Sequence, residues 1–167
     1  EIMPLKVKVT RMSGNDTALL TKGEVTAERI LDAAFRSIAA HGCGAVTLRC
    51  IAEEADVALS QLNYHYGNKD SLFTAVLKRM QEGYMEGLSL RLRGHPSLAR
   101  QITALVDYNA FVLADSPDTY RNFLEFFNFA MNSQNFRATV ADFTSGIAAI
   151  IETCIAKHRH DTGTTSE

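Results

Sequence analysis

Leu59, Ser60 and Gln61 are neighbouring side chains that suit the edges of DNA bases, and Lys69, a short way further on, suits a phosphate. A Gln amide can pair with adenine N6 and N7, a Ser hydroxyl serves several bases, and a Leu side chain can touch a thymine methyl. Lys69 falls where a helix begins. Backbone amides there already favour an anion, and the ammonium adds charge to a phosphate clamp. Arg49 lies in the first turn of an earlier helix and can reach guanine O6/N7 or a phosphate.

Chemistry of this kind depends on how the residues are held. They fall within Thr47 to Leu72, TLRCIAEEADVALSQLNYHYGNKDSL. Thr47 is a good N-cap, after which Leu48, Ile51 and Ala52 recur at helical spacing. Asp56 tolerates the left-handed backbone that a sharp turn needs, and Val57 supplies an apolar plug. A second short helix follows over 58–64, stopped by Gly67-Asn68, and Lys69-Asp70-Ser71-Leu72 opens a third. Leu62 faces inward with Val57. Helix, tight turn, helix lets one helix cross a DNA backbone while the next lies in the major groove.

Three stretches, ILDAAFRSIAAHG, VTLRCIAEEADV and LNYHYGNKDSLFTAVL, together resemble the DNA-binding domain of the TetR (tetracycline-repressor-like) family. The resemblance covers about Ile30 to Leu77. It implies that Tyr64 and His65 belong to a phosphate-contacting cluster, with Tyr66 packed inside. Thr47 is grouped with the DNA-contacting residues as the cap of the helix that precedes the turn. Asn63 stands where the family commonly has Tyr, which leaves a base or a phosphate role open. Cys43 replaces a usual aromatic and Asp56 a usual Gly. Ala58 replaces a capping Ser or Thr, a loss worth about 1 kcal/mol.

Net charge is −2, so no general basic field surrounds the chain. Residues 1–80 carry +1 and residues 81–167 carry −3. DNA contact must therefore come from a few placed cations and backbone amides. The three cysteines, Cys43, Cys50 and Cys154, form no CxxC and read as reduced thiols. His41, Cys43, Cys50 and His65 match no usual zinc spacing. No signal-peptide pattern or long uncharged apolar run is evident, so a cytoplasmic protein without a membrane role, metal or cofactor is expected.

The class is all-α: a three-helix DNA-binding domain followed by a helical ligand and dimerisation domain. Residues 1–22 read as a flexible arm carrying Lys6, Lys8 and Arg11. Residues 23–72 read as the head, 73–158 as connecting helix and body, and 159–167 as a disordered tail. Thr26 caps the first helix, which Gly42 ends. A long helix runs from Lys69 to about Arg93, and Gly94-His95-Pro96 breaks it. Helices then follow over 97–114, over 117–131 with Pro117 in the first turn, and over 136–157.

In the family the body dimerises, usually through two C-terminal helices per subunit, and in many members holds a small ligand. This chain supplies one such helix before its polar tail. Phe143, Ile147, Ile150, Ile151 and Cys154 on it are the expected dimer face. Tyr108, Phe111, Phe123, Phe126, Phe127 and Phe143 form an aromatic cluster that reads as core. The functional alternative is an apolar cavity with Asn109 or Asn128 as a polar handle for an apolar or aromatic ligand.

The expected function is a homodimeric, sequence-specific DNA-binding regulator, a repressor whose binding to a palindromic operator responds to a small effector. The alternative is a helical protein-interaction module that keeps the fold without operator binding. Ser60 with His65, or His41 with Cys43, could be drawn as nucleophile and base. Each pair lacks an orienting third group, so no enzyme is expected.

Overall fold

The structure is a computed structural model that describes residues 21–95 and 97–163. Among these the chain forms seven helices: α1 (Lys22–Ala45), α2 (Leu48–Glu54), α3 (Leu59–Tyr66), α4 (Lys69–Leu92), α5 (Leu98–Asp115), α6 (Pro117–Asn132) and α7 (Gln134–Gly163). The expected all-α class holds.

Helix α1 starts earlier than Thr26. Thr21 Oγ1 accepts the Glu24 amide at 3.3 Å, and Glu24 Oε2 accepts the Thr21 amide at 2.7 Å. This reciprocal capping box satisfies two amides that the helix start would otherwise leave unpaired. Hydrogen bonds from Thr21 hold the Glu24 carboxyl below its usual range. Thr26 lies inside the helix and donates back to the Lys22 carbonyl at 2.9 Å. Thr21 and Lys22 therefore belong to the head, and the rest of the expected arm lies outside the described residues. Gly42, at φ +78, breaks the helix near its end.

The other boundaries follow their caps. Thr47, Asn68 and Ser97 each accept the amide three residues on, and Pro117 occupies the first turn of α6. Helix α7 runs beyond the boundary expected at 157, with helical backbone through Gly163. Once a long helix is nucleated, adding a polar turn needs no apolar partner.

A single buried cluster joins head and body. Ile30, Ala34 and Ile38 of α1 meet Ile51, Leu62, Leu72, Phe73 and Val76, all of them fully or almost fully buried. Removing a side chain such as Leu62 would cost about 2–5 kcal/mol. Arg79 of α4 bridges Glu28 at 3.1 Å and Asp32 at 2.8 Å on α1. The most extensive helix contact is between α1 and α6, so the body grips the head directly as well as through α4.

The segment Phe136–Ala156 of α7 is long and apolar enough to cross a membrane, with a mean hydropathy of 1.4 and little of it buried. The sequence reading overlooked it because Arg137, Asp142 and Glu152 interrupt the run. Its buried members, Phe136 and Phe143, face α6 and α4.

Candidate nucleic-acid interface

Helix α3 has two unlike sides. Leu62 is fully buried beneath it, while Leu59, Ser60, Gln61, Asn63 and Tyr64 are exposed. Tyr64 stands out at 86% exposed, and the half-buried His65 packs edge-on to it with ring centroids 5.4 Å apart. Tyr66 turns inward and donates its hydroxyl to the Ala27 carbonyl at 3.0 Å. Ser60, Gln61, Tyr64 and His65 share a recess of about 330 Å³ with Lys22, Gly23 and Thr26 of α1. Lys22 thus joins this face. The signal for it was the T-x-x-E box that starts the helix one turn earlier than expected.

The turn between α2 and α3 is held from α1. Asp56 has φ +51, the left-handed conformation where Gly costs least. Arg29 donates to the Ala55 carbonyl at 2.7 Å, the Asp56 carbonyl at 3.1 Å and Asp56 Oδ2 at 3.4 Å. Two of those acceptors are backbone, so the clamp grips the turn itself. Ala58 offers no side-chain cap, and Gln61 Oε1 accepts the Ala58 amide at 3.2 Å instead. The residue expected to read a base therefore also caps its own helix.

The cations are few and individually placed. Arg49 is exposed and pairs with Glu53 at 3.3 Å, one helical turn away. Such a pair is worth about 0.3–0.5 kcal/mol, so a phosphate can displace it easily. Thr47 Oγ1 is committed to the Cys50 amide at 3.2 Å. Lys69 is half-buried, its ammonium 5.3 Å from the centroid of the Phe73 ring. The negative face of the ring draws the ammonium there. Burial first, then the Glu125 carboxylate, push the Cys43 thiol up to about 12, with Lys69 pulling the other way. Among the described residues, no three or more His, Cys, Asp or Glu side chains are grouped to hold a metal.

In the body, the aromatic residues split. Phe123 stacks on Phe143 at 4.9 Å, Tyr84 packs against Tyr108, Phe123 and Phe143, and Phe126 meets Phe73. Tyr108, Phe123, Phe126 and Phe143 are buried, and Phe111 is half-buried below Arg91. Phe127 points outward, apart from these rings. Asn109 Oδ1 accepts hydroxyls from Tyr84 at 3.1 Å and Tyr120 at 2.6 Å. The expected polar handle is thus engaged within the protein. An open groove of about 520 Å³ lies further along, lined by Ser89, Leu92, Arg93, Gln101, Ile150 and Cys154 among others.

On α7, Ile147, Ile150 and Cys154 are half-buried against the core and Ile151 is half-buried. Phe143 is turned inward. Leu124 and Met131 of α6, at 69% and 74% exposed and given no role by sequence, form an outward apolar row with Phe127, which the aromatic cluster was expected to include.

Residues 30–76 match the pattern described as bacterial regulatory proteins, tetR family. This head is of the tetR family. The chain is 26% identical over 108 residues to the HTH-type transcriptional regulator BetI of Brucella anthropi, a match covering 65% of this chain and 56% of that protein. BetI of Brucella abortus is 25% identical over the same length, covering 54% of that protein. The matched region thus spans little more than half of either relative. Among solved structures, a TetR-family member from Streptomyces coelicolor A3 superposes with a TM-score of 0.66 at 25% identity, covering 75% of this chain and 73% of that one. The multidrug binding protein EbrR complexed with ethidium gives 0.66 at 26% identity, covering 77% and 74%.

Proposed function

We propose that this protein is a sequence-specific DNA-binding transcriptional regulator, a repressor that pairs two heads on a palindromic operator. The supporting observation is α3 itself. A helix buried on one side by Leu62 presents Leu59, Ser60, Gln61, Asn63 and Tyr64 outward, with Lys22 on the same recess. In this reading Thr47, Arg49, Tyr64, His65 and Lys69 hold the sugar-phosphate backbone, and Leu59, Ser60, Gln61 and Asn63 meet base edges. Pairing of two chains brings together the apolar row Leu124, Phe127 and Met131 with the outer side of α7, including Ile151.

Operator release follows from an apolar or aromatic effector bound in the body. EbrR, solved with ethidium, supplies a related fold with such a compound bound. The groove lined by Leu92, Gln101 and Ile150 offers apolar walls with polar groups for the effector. An effector acts only through different affinities for the DNA-competent and incompetent arrangements.

Selection of bound duplexes from random DNA tests the core of the proposal. A palindromic consensus is expected. Absence of enrichment at low salt would overturn it in favour of a protein-interaction module.

A further inference from the structure

We infer that Gln61 selects a keto base, guanine or thymine, at the position it faces, and discriminates against adenine. This rests on the proposed docking of α3 in the major groove. The observation behind it is the bond from the Ala58 amide to Gln61 Oε1 at 3.2 Å. An N–H can only donate, so the atom it meets must be the amide oxygen rather than the nitrogen. The carbonyl is thereby drawn back onto the first turn of α3, and the NH₂ becomes the leading end of the side chain. Among the described residues Gln61 Nε2 makes no hydrogen bond, and Gln61 is exposed in the recess with Ser60 and Tyr64.

A Gln that reads adenine must set its oxygen and nitrogen side by side, accepting from N6 and donating to N7. Doing so here would withdraw the bond from the Ala58 amide. Ala58 has no side chain to replace it, and α3 has no other side-chain cap. The freed amide would then face a closely apposed duplex, where an unpaired donor is more costly than in open water. A tethered Gln61 instead offers two donor hydrogens. Guanine answers with O6 and N7, thymine with O4, and neither sets an amino group of its own against the Gln61 NH₂. Adenine and cytosine both do.

The test measures affinity of the full chain for its selected duplex with each of the four base pairs at every position. The wild type is expected to favour guanine or thymine over adenine about three- to tenfold at one position in each half-site. Gln61→Ala should erase that preference and leave the others. Gln61→Glu keeps an oxygen for the Ala58 amide but presents only acceptors, so the preference should move to adenine or cytosine. Thermal melts of each variant separate this change from loss of fold, and Gln61→Ala alone suffices if the Glu variant is unstable. A Gln61-dependent adenine preference, no change on removing Gln61, or an even loss across all sequences overturns the inference. Binding with any of these patterns leaves the proposed function standing, whereas a chain that enriches no duplex removes both.

Discussion

Glu125 Oε2 on α6 accepts the backbone amide of Cys43 at 2.9 Å, across 82 positions of sequence. One turn earlier, the fully buried Asn122 donates to the Phe35 carbonyl at 2.9 Å. Gly42 makes the first bond possible, since a Cβ there would stand 2.9 Å from Glu125 Oε2. Glu125→Ala should lower unfolding free energy by about 1–2 kcal/mol, and Glu125→Gln should recover most of that. Urea unfolding of the two variants decides it, and equal losses from both would refute a hydrogen-bonding role.

Lys69→Ala should weaken binding evenly across duplex sequences and lower the steepness of the salt dependence by about one counterion. Titrations at several salt concentrations check this. A loss confined to particular base pairs would contradict a phosphate role.

Arg29→Ala should cost about 1 kcal/mol, because its donors hold the carbonyls of Ala55 and Asp56. Asp56→Gly should be nearly neutral or slightly stabilising. It gives up one exposed ion pair of 3.4 Å but relieves the left-handed backbone at φ +51. Denaturant unfolding of both variants separates the backbone clamp from the carboxylate, and a larger loss from Asp56→Gly would reverse that assignment.

Gly87 of α4 lies against Tyr108 of α5, for a Cβ there would overlap the Tyr108 hydroxyl and stand 2.9 Å from its ring. Gly87→Ala should destabilise by about 1–3 kcal/mol. Adding Tyr108→Phe should recover part of the loss, since the ring carbon still crowds the methyl. A double-mutant cycle measures this coupling, and simple additivity would rule the clash out.

Alkaline stability offers a separate check. Burial raises the Cys43 thiol from 9.0 to about 12 and the Tyr66 and Tyr108 hydroxyls from 10.0 to about 12. The unfolded chain therefore releases these protons first. Stability from these groups is complete below about pH 9 and falls as pH climbs toward 12, first through Cys43 and then through the tyrosines. Unfolding midpoints across that range should decline, and Cys43→Ala should remove the earliest part. A flat profile would contradict the burial of these groups.

Where the chain stops and starts its helices was largely written in local chemistry. Thr47, Gly67, Asn68 and Pro117 each act on neighbours within a turn, and Asp56 does adopt the left-handed backbone its side chain tolerates. Thr21 escaped because the box it makes with Glu24 stands well ahead of the periodic apolar face that begins at Ile30. Arg29 and Glu125 act across distant segments, so no local pattern reveals them. Phe127 and Phe143 belong to apolar patterns that helical spacing detects, but the partner helix decides which ring turns inward. Gln61 was legible as a base-reading residue type, while its tie to Ala58 depends on a rotamer that no spacing encodes.

Because α1 is bonded to α6 through Asn122 and Glu125, the head is poorly placed to pivot alone about the α3–α4 junction. A reorientation that preserves those bonds must carry α6 along as cargo. Its slack would then come from the joints bordering α6, at Ser116 and Ser133, leaving the trihelical unit itself rigid in transit.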